Sequence, residues 1–299
     1  MKKKNTGIIS RILILLAVVL AIFSGGYFFL DKLIVPKYFS SYGIKNIPDL
    51  VGVVTSLYKS PKEAKLVTNG FTQTDFSNAV KSLQNSNYLI ANDGTIEEKN
   101  FEIFKGDKEV TLTDKEFASI FNKLIDEDGI LVEALPDFNY LNIINISILE
   151  VIITPNNDLK TGDKYNGANI SFIAKLDTVD IREQIATQMD TPLFLLNMII
   201  PDILYFEVSY DLDLTKAENE RVENGEIAIN GRTIEQSEIL MNLLIDFIFP
   251  EEENMNLTKF TETFGNIILQ GIDVLGDFKF VDGLGISGKQ NGIYVNPLI

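Results

Sequence analysis

The 299-residue chain contains no histidine and no cysteine. A serine triad, a cysteine nucleophile and the commonest zinc sites therefore cannot form in their usual shape. Serine, lysine and carboxylates are left to carry any chemistry. Ser56 and Lys59 stand at the spacing of a Ser-x-x-Lys nucleophile, and Lys160, Thr161 and Gly162 spell the strand element that accompanies it in cell-wall enzymes. The contexts are wrong for that use. Ser56 ends a short helix instead of opening one in a domain core, Lys160 falls in a turn after Pro155, Asn156 and Asn157, and no Ser-x-Asn element stands between the two strings.

Three acidic loops, 126–129, 156–163 and 251–253, lack the alternate-position spacing of a calcium loop and read as solvated turns. Carboxylates facing each other for glycoside hydrolysis have no linear signature. No catalytic residue, metal ligand or cofactor is expected from the sequence.

The apolar inventory is richer. Phe117, Ile120, Phe121 and Leu124 share one helical face; Leu240, Leu244 and Phe247 share another; Phe172, Phe206 and Val208 lead the apolar faces of two alternating segments. Such faces make an ordinary core, each buried Å² contributing about 25 cal/mol. They also line an apolar groove if long strands curl around the helices, and each buried CH₂ of an acyl chain then contributes about 0.8 kcal/mol. These residues are the candidate lining of such a groove.

The elements that position them are legible in order. Pro48 and Asp49 open a short helix carrying Leu50, Val53, Val54, Leu57 and Tyr58, and Pro61 closes it. Thr72 with Asp75 caps a helix presenting Phe76, Val80 and Leu83. A turn at Asn92, Asp93 and Gly94 leads to an extended stretch with Phe101 and Ile103. Val110 and Leu112 share a strand face, and Thr113 with Glu116 forms a capping box ahead of the Phe117 helix. Strands follow at 143–154, apolar on both faces, and at 168–178, where Ile170, Phe172, Ala174 and Leu176 alternate with Asn169, Ser171, Lys175 and Asp177.

A helix over 181–189 stops at Pro192, and 204–214 alternates as a long half-exposed antiparallel strand. Asn224 and Gly225 turn the chain into a short strand with Ile227 and Ile229. Thr233 and Gln236 repeat the capping-box spacing before the Leu240 helix, so strand, cap and helix occur twice. A last helix carries Phe260, Phe264, Ile267 and Ile268, and Phe278, Phe280, Ile293 and Val295 form a closing hairpin.

The N-terminal part sets the location. Residues 8–30 read as a transmembrane helix, since about 20 apolar residues rising 1.5 Å each cross a hydrocarbon layer of about 30 Å. Lys2, Lys3, Lys4 and Arg11 hold residues 1–7 in the cytoplasm. Tyr38, Phe39 and Tyr42 among lysines give 31–64 the composition of a juxtamembrane segment, and 65–299 form the extracytoplasmic domain. The chain carries a formal charge of −16, so polyanions and anionic headgroups repel it and nucleic acid is not a partner. The expected partner is the membrane, with a lipid or other apolar ligand. With no disulfides, packing alone stabilises the domain.

The run EVTLTDKEFASIFNKLI ahead of long antiparallel strands, with EIAINGRTIEQSEILMNLLIDF later, resembles YpmS-type proteins of Gram-positive bacteria and, more distantly, tubular lipid-binding (TULIP-like) domains. The likeness spans residues 95–296 as a pattern of elements and carries over no functional residue. It implies a helix held in a strongly curved sheet, and apolar ligands. The expectation is an α+β fold: an N-terminal transmembrane helix, then a curved antiparallel sheet wrapped on amphipathic helices. The expected function is non-enzymatic lipid binding or lipid handling outside the cytoplasm. The alternative is a scaffolding ectodomain that binds other envelope proteins.

Overall fold

The computed structural model describes residues 27–28, 30–40, 44–58, 66–91, 102–104, 106–124, 145–188, 192–217, 220–233, 265, 269, 276–284 and 290–296. Contacts divide the chain into two units, 1–58 and 59–299.

In the first unit a π-helical turn, Leu30–Ile34, runs into helix α1 (Val35–Phe39), and α2 (Ile47–Tyr58) follows. The α2 start lies one residue earlier than its proline suggests. Asn46 Oδ1 accepts from the Asp49 N–H (2.9 Å), and the Asp49 carboxylate accepts from the Lys45 N–H (3.0 Å). Asp31 accepts from the Ile47 N–H (2.7 Å) and pairs with Lys32 (2.9 Å). Leu50 is buried, while the side chains of Val53, Val54, Leu57 and Tyr58 lie outside the described residues. Among the described residues no helix is long and apolar enough to cross a membrane; positions 8–26, most of the expected span, are not among them.

The second unit is α+β with antiparallel sheets. Helix α3 (Gln73–Asn85) starts at the Thr72–Asp75 capping box and buries Phe76, Ala79, Val80 and Leu83. Strands β1 (Leu89–Ala91) and β2 (Glu102–Phe104) pair with each other. Strand β3 (Val110–Thr113) leads directly into α4 (Asp114–Leu124). The expected box joins them: Glu116 N–H donates to Thr113 Oγ1 (3.2 Å) and Thr113 N–H donates to Glu116 Oε2 (2.9 Å).

Next come β4 (Asn145–Pro155), the small hairpin β5 (Lys160–Thr161) and β6 (Lys164–Tyr165), and β7 (Gly167–Asp177). Helices α5 (Val179–Gln188) and α6 (Leu193–Ile199) precede β8 (Ile203–Asp213), β9 (Val222–Ile229), β10 (Arg232–Thr233), β11 (Asp277–Leu284) and β12 (Gln290–Asn296).

Two five-stranded sheets result, ordered β10-β9-β8-β7-β4 and β3-β12-β11-β6-β5. Register explains the core. In the second sheet Leu112, Ile293, Phe280 and Tyr165 stand directly opposite one another across four strands, and all four are buried. In the first sheet Val151, Phe172, Val208 and Ile227 make the equivalent buried row. Helix α4 packs against β4 of one sheet and against β3 and β12 of the other. Phe117 and Phe121 stack at 5.5 Å between centroids, and Phe121 meets Phe172 at 5.7 Å. At Gly292 the backbones come so close that an added Cβ would lie 2.0 Å from the Leu112 carbonyl oxygen, so only glycine fits there.

Three sequence expectations change. Asn224 and Gly225 do not turn the chain; they lie inside β9 at a bulge, where Asn224 takes φ 49° and the register slips between Ser209 and Asp211. The turn is six residues on: Asn230 (φ 53°) and Gly231 (φ 71°) link β9 to β10 as a two-residue hairpin. Lys160 and Thr161 form a strand, not a turn, and the Lys160 ammonium donates to the Tyr165 hydroxyl (2.8 Å), which donates to Asp282 (2.6 Å). Strand β4 is not covered on both faces, because Ile152 is 38% exposed. The turn at 92–94, Phe101, Ile125, the loops 126–129 and 251–253, the helix after Thr233, and Phe260, Phe264, Ile267 and Ile268 lie outside the described residues.

Two outcomes follow from the start of α4. Thr113→Ala lowers unfolding free energy by about 1 kcal/mol, read from the urea midpoint, while Thr113→Ser keeps most of it. Asp114, buried at the first helical position, has its carboxyl pushed above the ordinary value by burial, with the nearby Glu150 charge adding to the effect and the Lys115 N–H opposing it. The folded chain therefore binds this proton at higher pH than the unfolded chain, and stability falls as pH rises from the ordinary value of 3.8 through the raised one. Asp114→Asn removes that slope, so its advantage over the wild type grows with pH across the window; parallel urea midpoints against pH would contradict this.

Candidate functional site

Because side chains alternate along a strand, the row that feeds the core of the first sheet leaves a second row on its other face. There Ile152, Ser171, Ser209 and Glu226 stand opposite one another, and Glu150, Ile173, Glu207 and Ala228 form the adjacent row. A groove of about 700 Å³ lies here; its lining includes Ile152, Ser171, Ile173, Glu207, Ser209 and Glu226 from these rows, and Leu66.

Leu66 reaches the groove because the segment ahead of α3 is strapped to the edge strand β4. The Glu150 side chain, 1% exposed, accepts from the Thr68 N–H (2.8 Å) and from Thr68 Oγ1 (3.2 Å). Gly70 lies so near that an added Cβ would be 3.3 Å from the Leu149 carbonyl oxygen. The edge of β4 is otherwise closed by side chains: the Ile148 N–H donates to Asn122 Oδ1 (2.7 Å), and Asn291 Nδ2 donates to the Ile153 carbonyl (2.7 Å). A bulge between Ile148 and Glu150 turns the Glu150 position onto the groove face.

The groove is amphipathic. Ile152, Ile173, Ala228 and Leu66 offer hydrocarbon; Ser171 and Ser209 offer hydroxyls; Glu207 and Glu226 offer negative charge. Glu207 Oε1 has almost no solvent contact and, among the described residues, no hydrogen-bond partner. By contrast, the farther end of this face is internally paired: Asn169 Nδ2 and Asn224 Nδ2 donate to the two oxygens of Asp211 (3.0 and 2.8 Å). On the core face the Tyr210 hydroxyl is raised well above its ordinary pKa by burial, which keeps it a neutral phenol.

Of the sequence-named lining residues, those of α4 fall on the core side of the sheet. Phe117, Ile120 and Phe121 are buried at 2%, 0% and 1% exposure in contact with the sheets, and Phe172 and Val208 are buried in the core row. Phe206 is half-buried and lies on the same face as Phe172. Phe172 and Val208 border the groove through their place in the strands, and on the core side the rings of Phe117 and Phe121 pack against Phe172. The side chain of Leu124, and Leu240, Leu244 and Phe247, are outside the described residues.

The groove residues Ser171, Glu207, Ser209 and Glu226 carry no motif. The signal that finds them is an interruption: Ile173 puts hydrocarbon where the alternation of 168–178 calls for a polar side chain, and Ile152 stands beside it in the neighbouring strand. Among the described residues no cluster of three or more acidic, histidine or cysteine side chains could hold a metal ion. Neither family models, curated proteins nor solved structures give a match to this chain.

Proposed function

We propose that the chain is a membrane-anchored, extracytoplasmic lipid-binding module with no catalytic role, and that the outward groove of the first sheet is where it holds an acyl chain. The groove carries this reading. Its volume, about 700 Å³, falls in the range of small-ligand sites, and Ile152 and Ile173 set hydrocarbon among its serines and glutamates. The apolar run at 8–30 and the basic residues ahead of it support the anchoring and the orientation. The resemblance to YpmS-type and TULIP-like proteins belongs with the same reading, with the difference that the ligand lies on the sheet face away from α4.

The test uses the full chain in phosphatidylcholine nanodiscs and a pyrene-labelled dodecyl chain with a neutral head. Ala228→Trp places an indole in the groove without touching the core row. Displacing about two methylenes, at about 0.8 kcal/mol each, weakens probe binding roughly tenfold. Wild-type protein that takes up no more probe than empty discs, or an unchanged affinity in Ala228→Trp, contradicts the proposal.

A scaffolding role has its own observation. Phe194 (55% exposed), Val179 (41%), Leu193 (37%) and Ile203 (37%) leave apolar side chains in water around α5 and α6. Underneath, this hairpin is firmly pinned: Arg182 on α5 donates to the Ile200 carbonyl (3.0 Å) and pairs with Asp202 (2.6 Å), and Thr178 Oγ1 donates to the Pro201 carbonyl. On this reading a photocrosslinker at position 194 forms one discrete adduct in intact cells, and Leu193→Glu removes it while Ala228→Trp does not. A diffuse or absent adduct argues against it.

A further inference from the structure

The charge distribution of the groove goes further than its shape. Glu207 stands opposite Ala228, and Glu226 is two residues back along the same strand, so the two carboxylates are diagonal neighbours on one face, about 7 to 8 Å apart at the backbone. Nothing on the described residues neutralises them. Lys175, one diagonal step the other way on β7, forms no ion pair with Glu207. Glu150 is occupied by Thr68, and Asp211 by Asn169 and Asn224. Glu207 Oε1 is buried with no donor among the described residues. A carboxylate oxygen withdrawn from water and left without a donor among the described residues is costly, and a ligand that brings N–H groups removes the cost.

We infer that the groove selects amphiphiles with a protonated amine at the head of the acyl chain, the ammonium held by Glu207 and Glu226 and the chain laid along Ile152 and Ile173. The inference rests on the lipid-binding reading above and narrows it. An ammonium supplies three donors in a small volume, enough to serve both carboxylates and the hydroxyl of Ser209 beside them. A fatty-acid carboxylate at the same place would meet two like charges. A sugar head would supply donors without relieving the repulsion between the two glutamates.

The experiment displaces the neutral pyrene probe from the full chain in phosphatidylcholine nanodiscs with octylamine, octanoate or octyl glucoside below its micelle threshold. Octylamine displaces it at a concentration about five- to tenfold lower than either of the others, and the preference shrinks in high salt. Glu207→Gln with Glu226→Gln is isosteric and brings the three ligands to within twofold of one another, with octyl glucoside unchanged. Asp158→Asn, an exposed acid elsewhere, leaves the preference intact.

Equal affinity for octanoate, or for octyl glucoside, overturns the inference and leaves the lipid reading standing. A preference that survives the double substitution overturns it too, because the attraction would then come from the chain's overall acidity. If the pyrene probe itself does not bind, the lipid reading falls first and this one with it.

Discussion

The two-residue period of four hydrogen-bonded strands is the constraint on which the rest of the structure depends. Once β4, β7, β8 and β9 are locked in register, Val151, Phe172, Val208 and Ile227 must point one way and Ile152, Ser171, Ser209 and Glu226 the other. A slip of one residue would place serines and glutamates against the rings of α4 and expose the aromatic row. Burial of that row holds the register, so the same hydrophobic contribution that stabilises the core also fixes the chemistry of the opposite face. Fold and site are two sides of one set of strands.

Helix α4 decides which side stays open. The Thr113–Glu116 box satisfies two backbone N–H groups at its start and sets it immediately after β3, so it cannot drift from the second sheet. From there Phe117, Ile120 and Phe121 fill the space between the sheets, and Asn122 reaches across to cap the edge of β4. Aromatic rings in offset contact leave little room for a ligand. The outward face has no comparable aromatic plug among the described residues, and the strap at 66–70 borders it without closing it.

Local rules made much of this readable from the chain alone. Both capping boxes that fall on described residues, at Thr72 and at Thr113, close as their spacing indicates, and the alternation of β7 and β8 matches their burial almost position by position. The face that carries the groove was not readable in the same way. Hydrophobic pattern marks the side of a strand that wants to leave water, and Phe-rich stripes satisfy that demand with each other as readily as with an acyl chain. Which contact forms is a tertiary matter, and here the rings of α4 pack against the core row.

Turn chemistry shows a related limit. Asn-Gly pairs at 224–225 and 230–231 are locally equivalent, both favouring positive φ, yet one builds a bulge inside β9 and the other the hairpin to β10. Only the pairing partner β8 distinguishes them. Likewise Lys160 lies among turn-forming residues, and its short strand exists because Tyr165 is drawn into the buried row of the second sheet.

The account stands or falls on which face of the first sheet a hydrocarbon chain touches. Methyl-labelled full-length protein in nanodiscs, titrated with an amphiphile spin-labelled near the end of its chain, reads this directly through paramagnetic broadening. The account requires the methyl signals of Ile152, Ile173 and Ala228 to broaden while those of Ile120 and Ile153, in the core, stay sharp. Broadening of Ile120 and Ile153 instead would place the ligand between helix and sheet and contradict it.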